Sequence, residues 1–303
     1  MIISTGLLTR NVRGEFFNRF NAAQTYYQRL ATTLKSSTAT ENYRWLGSVP
    51  QMREWVGGRQ AKGLRAESYD VANLKYEATM EVDRDEVSDD QTGQIMIRVG
   101  ELAQRAATHK DYLIAQLLIN GATAGFNSYD GVSFFNDAHV SGNSGNQDNK
   151  LTLEAASGTN PTSAEFLTAL TNAISAMLGF KDDQGQPMML DAKGIAAIVP
   201  PALWPTATQA VQAQMLNNTT NVFSGIAEVI CFPWLTDATK FYTLKTDGIV
   251  RPFMFQDREP IEFGSLTEDS DEGFRREKFL YGVRARYRMA YGYWQYAVET
   301  TFT

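Results

Sequence analysis

Residues 88–121 read SDDQTGQIMIRVGELAQRAATHKDYLIAQLLING, and this stretch constrains the chain more than any other. Apolar residues recur every three or four positions, at Ile95, Val99, Leu102, Ala103, Ala106, Leu113, Ile114, Leu117 and Leu118. That spacing is the stripe of an amphipathic helix. Ser88 stands where an N-cap belongs, and Gln91 three residues later completes a capping-box pattern. Asp89 and Asp90 follow in the first turn, where the helix dipole favours negative charge. Asn120-Gly121 is a stop signal, because glycine takes the left-handed conformation past a helix end without steric cost. The pattern predicts one helix roughly 45–50 Å long at 1.5 Å per residue, longer than most helices of a compact domain. Such a rod is either the core helix of an ordinary α/β domain or the spine of an elongated subunit, and periodicity does not choose between them.

The chain of 303 residues is long enough for one large domain or two ordinary ones. Hydrophobic residues at 43% and charged residues at 20% describe a soluble globular protein. Aromatic residues reach 12%, which suits a normal core and also large interfaces, where aromatic rings supply anchoring area. The net charge of −6 argues against a protein whose main task is gripping nucleic acid. The single cysteine, Cys231, excludes an intramolecular disulfide framework. Between Ile230 and Phe232 it reads as a small buried hydrophobe. No apolar run is long enough to span a membrane, and the N-terminus lacks the pattern of a signal peptide, so the chain reads as one made inside the cell.

Residues 1–10 read as extended. From 11 to 34, Phe16, Phe20, Ala23, Tyr27, Leu30 and Leu34 form the narrow seam of an amphipathic helix, ended by Lys35-Ser36-Ser37. Residues 40–66 combine Trp45 and Trp55 with Gly57, Gly58 and Gly63 and the cations Arg53, Arg59, Lys62 and Arg65, a long excursion with a Gly-rich, basic tip. Alternation through Tyr69, Val71, Leu74, Tyr76, Ala78, Met80 and Val82 predicts a returning strand. An acidic cluster that includes Asp83, Asp85 and Glu86 follows. After the long helix, 121–150 is rich in Gly and Asn, and SGNSGNQDNK reads as a flexible surface loop. A second helix spans 159–179, capped by Asn160 with Pro161 in its first position. Residues 188–190 and 195–199 are buried strand candidates, 204–216 a third helix, and 221–249 further strands. The end, 274–302, reads as long strands rich in Tyr and Arg. Helices and strands alternate without the even βα spacing of a barrel or doubly wound sheet, so the class is α+β.

The search for chemistry finds no catalytic set and no cofactor motif. The two histidines, His109 and His139, lie on the predicted helix and in the following loop, too few for the usual zinc sets. His109 reads as a solvated helix residue. Gly58 to Gly63 has phosphate-loop glycine spacing, but Leu64 and Arg65 replace the required Lys and Ser/Thr. Asp269, Asp271 and Gly273 resemble part of a calcium loop with the glycine one place early, so a solvated acidic turn is the better reading. Arg284, Arg286 and Arg288 alternate with Val283, Ala285, Tyr287 and Met289, which puts three guanidinium groups on one strand face. That face is either solvated or complementary to an acidic surface of another subunit. The residues singled out as inter-subunit contacts are Trp45, Trp55, Arg53, Arg59, Lys62 and Arg65 in the loop, Arg284, Arg286 and Arg288 on the strand, and Asp83, Asp85 and Glu86 in the acidic cluster.

Three segments carry a family resemblance: NLKYEATMEVDRDEVSDD at 73–90, YDGVSFFNDAH at 129–139 and YGVRARYRMAYGYWQYAV at 281–298. In their order the chain resembles the major capsid proteins of tailed bacteriophages, and more closely the major head subunits of Mu-like phages and prophages. The resemblance implies the fold shared by tailed-phage and herpesvirus capsid proteins. It would divide the chain into an N-terminal arm at 1–38, an extended loop at 39–78, a peripheral domain at 79–154 and 251–303 with the spine helix at 88–120, and an axial domain at 155–250. It implies no enzyme activity, but assembly into pentamers and hexamers of an icosahedral shell around double-stranded DNA, in a virion made in the bacterial cytoplasm. Expected partners are further copies of the chain, a portal, a decoration protein and a scaffold. The arm begins at once, so the scaffold is a separate protein or the chain is a mature form. The alternatives are the shell subunit of an encapsulin-like protein compartment and, in another class, a hydrolase with an unlocated carboxylate pair.

Overall fold

The computed structural model describes residues 5–46, 69–89, 93–216, 219–268 and 270–303. Helix α1 (Thr5–Ala22) turns Val12 and Phe16 inward. A single turn, α2 (Tyr27–Leu30), leads into strand β1 (Ala31–Lys35). The helix expected over 11–34 is therefore two helices and a strand, and residues 5–10 are helical rather than extended. β-Branched Thr32 and Thr33 favour a strand, and parallel pairing with residues 253–257 overrides the helical spacing of Tyr27, Leu30 and Leu34.

Strands β2 (Thr40–Asn42) and β3 (Asp70–Ala72) form an antiparallel ribbon. In β4 (Leu74–Asp83), Tyr76, Ala78, Met80 and Val82 face the core while Lys75, Glu77, Thr79 and Glu81 face out. The predicted long helix is two helices, α3 (Arg84–Asp89) and α4 (Gln94–Asn120). Ser88 falls inside α3. The N-cap of α4 is Gly93, whose φ of 72° is a left-handed value that breaks the helical path and favours glycine. At 27 residues, α4 is about 40 Å long. Gly121 at its end has φ −61°, not the left-handed value expected. Glycine is needed there because an added Cβ would lie 2.6 Å from Cδ2 of Phe135.

The chain continues through β5 (Lys150–Leu153), α5 (Ser163–Gly179), β6 (Ile195–Val199), α6 (Trp204–Gln212), β7 (Met215–Leu216), β8 (Thr219–Thr220), β9 (Glu228–Cys231) and β10 (Lys240–Lys245). It ends with β11 (Phe253–Leu266), α7 (Asp271–Arg276), β12 (Lys278–Tyr291), a 3₁₀ turn (Trp294–Tyr296) and β13 (Ala297–Phe302). The cap of α5 is Thr162 rather than Asn160: its Oγ1 accepts from Glu165 N at 3.2 Å, and Glu165 Oε2 accepts from Thr162 N at 2.7 Å. Residues 188–190 form no strand, and Leu190 is 88% exposed. Helix α6 stops at Gln212, short of the predicted end at 216, and β7 takes the last two of those residues.

Two sheets organise the molecule, with strand orders β1-β11-β12-β4 and β5-β13-β10-β6-β9. The second sheet draws β5 and β13 from outside 155–250, and β1 places residues 31–35 in the first sheet. One core cluster joins Val12, Phe16, Val82, Ile95, Val99, Ala103, Tyr281 and Val283 beneath α1 and the first half of α4. A larger one takes the second half of α4 through Ile114, Ala115 and Leu118, together with the second sheet, α5 and α6. Helix α4 thus crosses both cores.

The stretch expected to be a flexible surface loop is partly buried. Asn149 is fully buried and Ser141 nearly so. Asn149 Nδ2 donates to Phe134 O at 2.9 Å and Ala297 O at 3.1 Å, and its Oδ1 accepts from Asn136 N at 2.8 Å. Internal hydrogen bonds replace water for the Asn149 amide, which composition alone assigns to solvent.

Candidate inter-subunit contact surfaces

Strand β12 alternates as predicted. Val283, Ala285, Tyr287 and Met289 are buried, while Arg284, Arg286 and Arg288 stand on the other face, partly exposed. Strand β11 lies antiparallel beside it and brings Glu259 opposite Arg286 and Glu262 opposite Arg284. Glu259 Oε2 is 2.8 Å from Arg284, and its Oε1 accepts from Arg286 at 2.8 Å. The paired guanidinium groups, Arg286 first, hold the Glu259 carboxyl below the usual carboxylate range. Arg284 and Arg286 are therefore already engaged with acids of their own chain.

The acidic cluster lies at the far end of β12, where Asp83 faces Lys278 across the strands. Lys278 pairs with Glu81, which raises the lysine above its ordinary value. Asp85 and Glu86 are exposed in the first turn of α3, where the dipole favours them. Arg84 reaches across to Glu268 at 2.9 Å. Trp45 is half-buried against its own core, with its ring centroid 6.3 Å from Tyr43 and 6.4 Å from Tyr293. Arg53, Trp55, Arg59, Lys62 and Arg65 lie outside the described residues. The structure thus gathers Arg284 and Arg286 on Glu259, keeps the acidic cluster apart from them, and places Trp45 with the core.

The family described as Mu-like prophage major head subunit gpT matches the chain over residues 6–167, 162–235 and 236–302. The chain belongs to this Mu-like head subunit family. It is 26% identical to the major capsid protein of Escherichia phage Mu over 94% of its length and 70% of that protein's. It is also 26% identical to the Mu-like prophage FluMu major head subunit of Haemophilus influenzae over 91% of its length and 66% of that protein's. The chain therefore spans about two thirds of these curated relatives. Among solved structures, a chain of the procapsid of bacteriophage JBD30 superposes with a TM-score of 0.57 at 23% identity, over 99% of this chain and 76% of that one. The fold is that of the tailed-phage major capsid proteins, and the Mu-like head subunits are structural proteins.

Several residues of this head subunit that sequence reading passes over hold its parts together. Asp111 sits on the buried stripe of α4 and is 2% exposed. Its carboxylate accepts from Tyr26 N at 2.9 Å and Tyr27 N at 2.7 Å, which fixes the chain as it turns from α1 towards β1. Burial pushes its carboxyl above the usual range against the pull of those hydrogen bonds. A polar residue in an apolar stripe was the signal available for it. Lys110 lies 4.3 Å from the Tyr27 ring centre and 4.6 Å from that of Phe255, a cation–π contact on two rings. Arg29 donates to Glu228 through both terminal guanidinium nitrogens and ties α2 to the second sheet.

The histidines are likewise structural. His109, expected in solvent, is half-buried, with Nδ1 2.7 Å from the Tyr287 hydroxyl, and burial lowers it below the ordinary histidine value. His139 stacks on Trp294 at 4.0 Å, with Nδ1 2.6 Å from Asp130 Oδ2.

Proposed function

We propose that the chain is the repeating subunit of an icosahedral head, assembling into pentamers and hexamers around double-stranded DNA and residing in the virion. The observation that carries this reading is the family match running almost from end to end of a chain with the capsid fold. In this reading the protein works by fitting copies together and catalyses nothing. Strands β4, β11 and β12 of the first sheet with α4 serve as the peripheral body, with α4 as its strut. The second sheet with α5 and α6 serves as the axial body, the N-terminal arm covers about 1–38, and the loop at 39–78 reaches a neighbouring subunit. The net charge of −6 suits a lining that holds its genome loosely and without sequence preference. A scaffolding protein, a portal and a decoration protein are the expected partners.

Within this reading the basic loop, with Arg53, Arg59, Lys62 and Arg65, meets the exposed acids Asp85 and Glu86 of a neighbour. Arg284 and Arg286 suit that role less, because Glu259 already compensates them. Electron microscopy of the purified protein, alone and with its scaffold, tests the proposal. Closed shells are expected. Protein that stays monomeric at every concentration and salt overturns it. Trp55→Ala, or Arg59→Glu with Lys62→Glu, should impair assembly more than folding. Equal loss of both would return the loop to the core.

A further inference from the structure

Strand β11 opens with a buried run, Phe253, Met254, Phe255 and Gln256. Gln256 is the polar member of that run and is fully buried. Its amide bonds to the ribbon of β2 and β3. Oε1 accepts from the Tyr43 hydroxyl at 2.8 Å, and Nε2 donates to Val71 O at 3.1 Å and to Asn73 Oδ1 at 2.8 Å. Both N–H groups of the amide are thus used, and the carbonyl of Val71, which can only accept, fixes which way the amide points.

These bonds reach both strands of the ribbon. Tyr43 directly follows β2, Val71 lies within β3, and Asn73 joins β3 to β4. Asn73 carries the contact on to the turn between β1 and β2, where its Nδ2 donates to Ser36 Oγ at 2.8 Å and Thr38 O at 2.9 Å. The ribbon needs such a hold. Each of its strands has three residues, and a two-stranded ribbon is marginal by itself in water. Val71 and Tyr43 also pack on the larger core. Apolar contact is non-directional, so it holds the ribbon down without fixing its angle. Hydrogen bonds weaken steeply as they bend, so they do fix it. Tyr69 adds one long bond, its hydroxyl accepting from Tyr291 N at 3.3 Å. The buried amide of Gln256 supplies the short ones.

We propose that Gln256 is a positioning residue for assembly. It orients the β2–β3 ribbon on the body, and through the ribbon the loop at 39–78, without touching a neighbour itself. This rests on the reading that the loop reaches a neighbouring subunit.

Spin labels on Thr40→Cys and Gln104→Cys, both exposed positions, report the ribbon's angle in the unassembled subunit in a Cys231→Ser background. The parent should give one narrow distance distribution, and Gln256→Leu should broaden it. The Tyr43 and Asn73 amides donate across the ribbon to Tyr69 O and Ala39 O. Their exchange should quicken about tenfold, as loss of a buried hydrogen bond allows, while amides between β11 and β12 keep their rates. Particle yield should fall by a similar factor. Thr162→Ala removes the α5 cap at comparable cost to stability and should leave yield within about twofold. That control separates positioning from plain destabilisation. An unaltered distance distribution in Gln256→Leu overturns the proposal. A loosened ribbon with undiminished yield overturns it too, as does an equal loss of yield in Thr162→Ala. Parent protein that forms no particles removes the shell reading, and the distances then decide alone whether Gln256 orients the ribbon. Should Gln256→Leu not fold, Tyr43→Phe, which deletes only a hydroxyl, must broaden the distances and lower the yield; failure of either overturns the proposal.

Discussion

The carboxylate of Asp111 receives the backbone N–H of Tyr27 at 2.7 Å, joining residues 84 positions apart in the chain. Tyr26 N–H reaches the same carboxylate, and Lys110 next to it lies over the Tyr27 ring. The long helix therefore holds the chain where it passes from one core to the other. Asp111→Ala removes both acceptors from a buried position and should cost about 1–3 kcal/mol. Asp111→Asn keeps a carbonyl oxygen and should cost less. Thermal unfolding checks the order, and limited proteolysis should cut at 23–30 faster in the alanine variant.

This clamp shows what was legible in the sequence and what was not. The apolar spacing of α4 was plain because one helix face follows from local spacing alone. So were β6, a short buried run, and the Arg alternation of β12. The strand at 31–35 was hidden because its partner lies 222 residues further on, and Leu30 and Leu34 satisfy a helical seam equally well. The burial of Asn149 was hidden because composition cannot reveal hydrogen bonds that replace water. Of the contact candidates, Arg284 and Arg286 were placed on the correct face, but Glu259 beyond the hairpin turn could not be seen as their partner.

Glycine at 121 and glycine at 93 answer to different constraints, and substitution separates them. Gly121→Ala keeps an ordinary φ but drives its Cβ into the Phe135 ring, 2.6 Å from Cδ2. Overpacking of this kind costs typically ~1–3 kcal/mol. Gly93→Ala meets nothing within 4 Å, yet must hold φ 72°. Its cost should be about 1–2 kcal/mol from backbone strain alone. Phe135→Leu should relieve part of the first defect and none of the second, read as a double-mutant cycle in thermal unfolding.

The Arg284–Glu259–Arg286 cluster lies on the outer sheet face with its side chains 29–43% exposed. Exposed pairs of this kind contribute about 0–1 kcal/mol each. Arg284→Ala with Arg286→Ala should therefore leave the subunit folded, with a small, salt-dependent fall in midpoint. A large loss measured in high salt, where screening has already removed the ion-pair contribution, would show that the arginine stems pack rather than pair.

Glu41 accepts from Ser37 N at 2.8 Å, Thr38 N at 3.0 Å and Ser36 Oγ at 2.9 Å. These bonds, the Ser37 N–H first, lower its carboxyl to about 2. A carboxyl lowered on folding stabilises the native state above its unfolded value, about 4.3, and loses that contribution as pH falls towards 2. Amide exchange at Ser37 and Thr38 should be protected at pH 5 and become less so relative to unclamped amides by pH 2.5. Glu41→Ala should show no such change.

Glu299 runs the other way. It is fully buried in β13, its Oε2 has no hydrogen-bond partner, and Lys240 reaches only its Oε1 at 3.4 Å. Burial raises its carboxyl above the ordinary range, more than Lys240 lowers it. The native state therefore binds this proton more tightly than the unfolded chain does. The group's contribution is then unfavourable at neutral pH and recovers as pH falls through the folded value towards the unfolded one. Glu299→Gln keeps the shape, removes the buried charge and should match or exceed the wild type in stability at pH 7–8. The difference should shrink on acidification, because the wild-type side chain becomes neutral too. Denaturant unfolding from pH 8 to pH 5 checks this. A variant that is less stable by a constant amount across that range would show that the ion pair with Lys240 outweighs the burial of the charge.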